Sequence, residues 1–538
     1  MHQPPAAQST VSKLGMVTSP HRVATQCGVR VLEGGGNAIE AAIATAAALC
    51  VTHPHFCGLG GDAFLIIADA SGSIRNISGI GQAAHKLDGY GGSIPVRGPR
   101  SALTTAGTVD ALRCAWDIST QLGGKHSWGA LLKPAIELAR EGYEVSASER
   151  FWLDFRRAQS HEMPGVFAQF SVAGRTPETG TVRKQVQLAR TLELLAERGP
   201  RDFYEGELAA RLAQGLAQAG SPLTASDLAQ TRARVEEPLR LPYRDGTLIA
   251  HQPPTQGITT LQIMGILERF DLPSIPEGSA DYYHLLVEAV KQAFLDRDRL
   301  VADPEHVDVP VGWLLSAGHL DAQAAAIDMQ SALAWPNRFK AGDTVFVGAA
   351  DAQGNAVSLL ATVYFDWGSG VMAGDTGVLW HNRGASFSLE PAHPNVLAPG
   401  KRPFHTLNPG MYLKGGKPSI IYGTQGADGQ PQTLAAILTR MIDYKMDPLL
   451  ALAQPRYLLG KTFSDAGETL KLEDDVPQAV QNELARRGHV LRTVDAQSPL
   501  MGHPGAIVID AGTGLMSGAH DPRSDGLALG LDAITTGC

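Results

Sequence analysis

The sequence reads as a layered α/β (α+β) protein in which helices cover sheets. Three features carry this reading. Ala41 to Val51 is an apolar, Ala-rich stretch interrupted only by Thr45 and suits a buried helix. Ala63-Phe64-Leu65-Ile66-Ile67 is a short continuous apolar run of the kind that forms a buried strand, and strand-like composition dominates again beyond residue 343. The 538 residues, 44% apolar and 18% charged, can build one large compact body or two interlocked layers.

Composition also narrows the partners. A formal charge of −9 and the lack of a long basic run argue against nucleic acid. Ala41 to Val51 falls short of the roughly 20 apolar residues that span a bilayer, so no membrane partner is expected. Met1 to Thr10 has neither a basic head nor an apolar core, and a cytoplasmic location is the expectation. The five cysteines (Cys27, Cys50, Cys57, Cys114 and Cys538) are odd in number and lack metal-type spacing, so free structural thiols are expected.

In chain order, Val23 to Leu32 reads as a helix that runs into Gly34-Gly35-Gly36-Asn37, with a second helix from Ala38. This glycine loop either holds an anion on free N–H groups or simply packs a turn; it has no Walker lysine and no dinucleotide spacing. Gly58-Leu59-Gly60-Gly61-Asp62 reads as a bend where two layers approach closely. Leu131 to Glu141, with Pro134 expected in a first turn, and Val186 to Glu197 read as helices covering a sheet. Thr247 to Ala250 is a short strand between the loop signals Arg244-Asp245-Gly246 and Pro253-Pro254-Thr255-Gln256-Gly257, and Thr259 to Phe270 is helical. From Asp321 to Met329, and on through Trp335-Pro336-Asn337, the chain reads as an exposed connection ending near Asp343. Thr344 to Ala349, Ala356 to Tyr364 and Ser419 to Tyr422 are strands, the first two joined into a hairpin by Gln353-Gly354-Asn355.

The hairpin begins with a hydroxyl residue, Thr344, preceded by a carboxylate, Asp343. A threonine hydroxyl is a poor nucleophile unless a base sits beside it, and its own α-amino group, with a pKa of about 7.7 to 8.0, can serve. An internal threonine gains that amine only when the preceding peptide bond is cut. Gly-Asp-Thr recurs at Gly374-Asp375-Thr376, so the local pattern alone does not choose between Thr344, Thr376 and an ordinary strand threonine.

Longer motifs do choose. Gly34-Gly35-Gly36-Asn37-Ala38 with Glu40-Ala41-Ala42, Gly58 to Asp62, Phe203-Tyr204-Glu205-Gly206, Leu223 to Leu228, Pro253 to Gly257, His284 to Phe294 with Asp296-Arg297 and Ala302-Asp303-Pro304, Lys401-Arg402-Pro403 and Gly518 to Arg523 run nearly end to end. Together they resemble the γ-glutamyltransferase family of N-terminal-nucleophile (Ntn) hydrolases. The resemblance implies a four-layer αββα sandwich and a precursor that cuts itself between Asp343 and Thr344. The products would be a large fragment, 1–343, and a small fragment, 344–538, that remain partners in one structural body. It puts the nucleophile and, after cleavage, the general base on Thr344, and a supporting threonine on Thr362. The oxyanion donors fall on the backbone amides of Gly426 and Ala427, where the family has a second glycine in place of Ala427. A plain loop is the alternative for that turn, and one more β-branched strand residue is the alternative for Thr362.

Substrate recognition departs from the transferases. The arginine that pairs with a glutamyl α-carboxylate should fall in Ser78 to Gln82, most nearly on Ile80, and is absent; Arg75 is the nearest substitute. The groups that hold the glutamyl α-amine map onto Arg383 and Ser386, an asparagine is replaced by Tyr364, and a serine pair becomes His405-Thr406. These changes resemble the oxamate amidohydrolase and cephalosporin-acylase-like branch. Arg383 would hold an acidic substrate, with His405 and Thr406 beside it; a structural salt bridge for Arg383 and a satisfied buried histidine for His405 are the alternatives. The expected substrate is a small acidic amide, with a γ-glutamyl hydrolase or transferase and a non-catalytic relative as competing readings. No cofactor is expected, and no metal, since no His-Glu-x-x-His spacing occurs. A homo-oligomer is left open.

Overall fold

A computed structural model describes residues 8–335, 343–460 and 467–531. Met1 to Ala7, Pro336-Asn337 and Cys538, which entered the sequence reading, lie outside the described residues.

Two seven-stranded antiparallel sheets lie face to face between helical layers. One sheet runs, in spatial order, Thr10–Ser12, Met516–His520, Pro504–Ile509, Lys417–Thr424, Gly410–Lys414, Gly246–Ala250, Leu239–Tyr243. The other runs Leu527–Gly530, Gly15–Ser19, Asp343–Asp351, Ala356–Tyr364, Asp62–Ala68, Ile74–Gly79, Arg234–Glu236. Each sheet interleaves strands from before and after residue 343.

The uniformly apolar strands follow from this layering, because both faces of each sheet are dry. Successive side chains alternate between faces. Phe64, Ile66 and Ala68 therefore enter the core between the sheets together with Phe346, Leu360, Met411, Ile421 and Ile507. Ala63, Leu65 and Ile67 face the opposite way, toward helices Arg22–Glu33 and Ala38–Thr52. The outer face of the other sheet is covered by helices Gly257–Leu267, Ala280–Leu300 and Gln430–Ile442. This is the αββα sandwich of Ntn hydrolases.

The glycine motifs resolve into close approach and capping. A Cβ at Gly61 would stand 2.1 Å from the Thr362 carbonyl oxygen, and one at Gly60 2.3 Å from that of Leu379. Asn37 caps helix Ala38–Thr52 in a capping box with Glu40, and the Ala38 N–H donates to Asp351 Oδ2 at 2.8 Å. The protein's own carboxylates thus take the helix N-terminus, and the loop Gly34 to Asn37 is a packing turn.

Two expectations need correction. Pro134 lies inside helix Trp128–Glu141 in its second turn, not its first. Burial of Leu131, Leu132, Ala135 and Ala139 against Val186–Arg198 offsets the missing N–H. The stretch from Asp321 is not simply an exposed connection: Ala317–Ala325 is a helix that buries Leu320, Gln323 and Ala324. Its short apolar stripe was hidden by its Ala and Gln content. Cys27, Cys50, Cys57 and Cys114 are free and buried. Among the described residues no helix is long and apolar enough to cross a membrane.

Candidate active site

The hairpin Asp343–Asp351 and Ala356–Tyr364 carries the site at its open end. Asp343 pairs with Tyr364 and Val345 with Ala361, so Thr362 and Val363 together oppose the single residue Thr344. This is a β-bulge, a device that re-aims side chains. Here it turns the Thr362 hydroxyl onto the carbonyl oxygen of Asp343, in a very short hydrogen bond. That carbonyl belongs to the Asp343–Thr344 peptide bond. Tyr364 N–H donates back to Thr362 Oγ1 at 2.7 Å and fixes the hydroxyl's direction. Tyr364 itself has φ +78°, a conformation unfavourable for a bulky residue.

Thr344 is buried, and its Oγ1 accepts a hydrogen bond from Gln430 Nε2 at 3.1 Å. Gln430 is in turn held by Asn408 N–H on its Oε1. Beside them, the Asp343 carboxyl takes a hydrogen bond from Gln425 Nε2 on Oδ1, while Oδ2 has no partner among the described residues. Burial, reinforced by nearby Asp366, pushes its pKa well above the ordinary carboxyl value, against the opposing effect of Gln425. Burial thus favours its protonated form. Asp366 remains paired, gripped by Arg156 at 2.6 and 2.7 Å and approached by Arg97 at 3.4 Å.

The turn after strand Lys417–Thr424 places Gly426 at φ +129° and Ala427 at φ +46°. Their N–H groups donate to no protein acceptor among the described residues. Ala427 holds the left-handed conformation despite its Cβ, and Gln256 Nε2 anchors its carbonyl at 2.6 Å. This same turn leads directly into Gln430.

Arg383 is fully buried, with its guanidinium 3.7 Å above the centre of the Tyr364 ring. Its two terminal nitrogens reach Thr406 Oγ1 at 3.4 Å, and Nε has no partner among the described residues. Among the described residues no carboxylate lies within ion-pair distance, so the salt-bridge alternative is not realised. Burial lowers its pKa to about 10, and Tyr364, Asp62 and Asp428 oppose that drop. It therefore stays charged at neutral pH. A buried cation without a counter-ion is costly, and it is set beside Tyr364, the residue paired with Asp343.

His405 behaves differently. Its Nδ1 accepts from Leu407 N–H at 3.2 Å, so Nε2 carries the proton and donates to Asp62 Oδ2 at 3.1 Å. Burial first, then Arg383, lowers its pKa to about 3. The imidazole is neutral with both nitrogens spent, which leaves Thr406 and Arg383 as the groups with donors to spare. Asp62 also accepts the N–H groups of Gly81 and Gly107. Burial would raise its carboxyl, but His381 and His405 overcome this and hold it low.

Arg75 does not substitute for the missing arginine. It pairs with Asp69 at 3.3 Å and lies in register with Ile67 and Val357, five residues along the strand from Thr362, or about 17 Å. Thr376 donates its hydroxyl to the Ala373 carbonyl in a turn. Sequence reasoning missed Gln425, Gln430, Asp62 and the Asp366–Arg156–Arg97 group. Asp62 stood inside a quoted motif and Gln425 beside Gly426, but nothing local marked what they touch.

Comparisons with known proteins bear on the fold and on the class of reaction. The chain is 43% identical over 527 residues to the oxamate amidohydrolase proenzyme of Klebsiella pneumoniae, covering 97% of this chain and 99% of that protein. It is 40% identical to the glutathione hydrolase-like YwrD proenzyme of Bacillus subtilis, covering 97% and 100%. A crystal structure of cephalosporin acylase from Bacillus halodurans superposes with a TM-score of 0.90 at 32% identity, over 98% of both chains. Fold and relatives define a hydrolase of C–N amide bonds with the Ntn architecture. Within that class, the chain belongs to the gamma-glutamyltranspeptidase family, whose profile matches residues 24–531.

Proposed function

We propose that the protein is a proenzyme that cuts itself between Asp343 and Thr344 and then hydrolyses a small acidic, oxamate-like amide through Thr344. The observation that carries the substrate class is the buried Arg383, whose guanidinium has no carboxylate partner among the described residues. A short anionic amide would supply one.

In the first reaction Thr344 Oγ attacks the Asp343 carbonyl carbon. The Thr362 hydroxyl, already bonded to that oxygen, stabilises the negative charge that develops there. The C–N bond breaks as Thr344 nitrogen takes a proton, leaving an ester that water hydrolyses. This yields fragments 1–343 and 344–538, the second beginning with a free amine.

In the second reaction that amine accepts the hydroxyl proton as Oγ attacks the substrate amide. The Gly426 and Ala427 N–H groups serve the oxyanion, Arg383 with Thr406 holds the substrate carboxylate, and the amide nitrogen leaves as ammonia. Water then releases the acid from the acyl-enzyme. Gln430, on Thr344 Oγ, orients the nucleophile.

The γ-glutamyl reading has in its favour the family match and the similarity to proteins named glutathione hydrolase or glutathione hydrolase-like. Arg383 weighs against it, since a guanidinium where an ammonium group should bind repels the substrate. Purified protein assayed for ammonia release from oxamate and for p-nitroaniline release from a γ-glutamyl anilide separates the two. Activity confined to the anilide would overturn the proposal.

A further inference from the structure

Away from Thr344, helix Ala280–Leu300 presents His284 and Glu288 one turn apart on the same face, and His489 meets them from the far end of the chain. All three are buried, and one ligand atom from each lies within 4.8 Å of the other two. We propose that His284, Glu288 and His489 form a binding site for one zinc-type divalent cation. This site is independent of the proposed amidase reaction.

The hydrogen bonds fix the protons. His284 Nε2 faces the Asp328 carbonyl oxygen at 2.8 Å, an acceptor only, so Nε2 carries hydrogen and Nδ1 is a bare lone pair. His284 Nδ1 lies 2.8 Å from His489 Nε2, which must therefore be the donor. A ligating histidine is characteristically oriented by donating its other N–H to a carbonyl, and His284 is already held in that way. Moving the one shared proton from His489 Nε2 to its own Nδ1 would free two imidazole nitrogens beside a carboxylate oxygen, a donor set suited to zinc. Tetrahedral bonds of about 2.0 to 2.1 Å would set the two nitrogens about 3.3 Å apart, half an ångström wider than now.

A resident cation already occupies one side. Lys291 Nζ contacts Glu288 Oε1 at 2.7 Å and the Leu333 carbonyl at 2.7 Å, while Leu333 N–H donates to Glu288 Oε2 at 3.0 Å. Glu288 keeps acceptor capacity on both oxygens, but Lys291 and, beyond His489, Arg487 oppose a second positive charge. The site is a competitive one, tuned against weak ions.

The test uses the full-length protein, stripped with a chelator and titrated with zinc chloride by calorimetry, with bound metal counted by mass spectrometry. One saturable site per chain is expected, with a melting midpoint that rises with zinc. His489→Gln, which keeps a donor for His284, should lose the site while remaining folded. Lys291→Met should bind zinc at least about tenfold more tightly. No saturable binding in either the natural protein or Lys291→Met, or equal binding in His489→Gln, overturns the proposal.

Discussion

The hairpin Asp343 to Tyr364 treats its two ends in opposite ways. At the turn, the Asp351 carboxylate accepts from the N–H groups of Ala38, Gln353 and Asn355 and from Asn355 Nδ2, at 2.8 to 3.0 Å. Asn355 Oδ1 takes the Ala70 N–H, and Gly354 supplies the positive φ the turn needs. At the open end the register breaks and Tyr364 is held at positive φ, and among the described residues Asp343 Oδ2 has no partner and Arg383 no counter-ion. Two strands share one sheet and one core, yet among the described residues the uncompensated polar groups gather at one end. The turn end spends its polar atoms on stability, and on the proposed function the open end keeps them for reaction partners.

Substitutions at the open end should break activity before stability. Thr344→Ala should leave a single full-length band by mass spectrometry and reduce amide hydrolysis by roughly 10⁴-fold or more. Thr362→Val, which keeps the shape and loses the donor to the Asp343 carbonyl, should slow self-cleavage by about 10²- to 10³-fold, as removal of an oxyanion donor does; a time course of fragment appearance measures it. Arg383→Met should raise KM for an acidic amide by about 10- to 150-fold, and, by removing an unpaired buried charge, raise the melting temperature of the substrate-free protein. A lower melting temperature would show that the charge is compensated after all. At the turn end, Asp351→Ala should do the reverse, costing about 1–3 kcal/mol of stability by denaturant unfolding with cleavage unchanged.

The smallest effect sharpens the comparison through pH. The Asp343 carboxyl has a raised pKa when folded, so its contribution is fully kept below the unfolded value near 4. It is lost as pH rises toward the folded value, because the unfolded chain can ionise there and the native one cannot. In the uncut Thr344→Ala background, adding Asp343→Asn should remove this loss, and the stability gap between the two variants should widen as pH climbs above about 4.

The turn end was readable in the sequence and the open end only partly. Gly354 and Asn355 announce a turn because their chemistry is local, and the strand Ala356–Tyr364 has the bounds its composition suggests. Thr344 and Arg383 came from position within family motifs. Gln430 meets Thr344 across 86 residues, and Arg156 meets Asp366 across 210; no spacing rule encodes such contacts. Pro134 and the helix Ala317–Ala325 went astray for the opposite reason, since tertiary packing overrode a local signal.

The interleaving of strands from either side of residue 343 bears on what the cut can mean. In the second sheet Gly15–Ser19 lies between Leu527–Gly530 and Asp343–Asp351, and Asp62–Ala68 pairs with the far strand of the hairpin. Pulling the pieces apart would unzip both sheets and open the core they share. A chain cut at that point would be a heterodimer by chemistry and, with both sheets and their shared core built from the two pieces, should melt as a single cooperative unit.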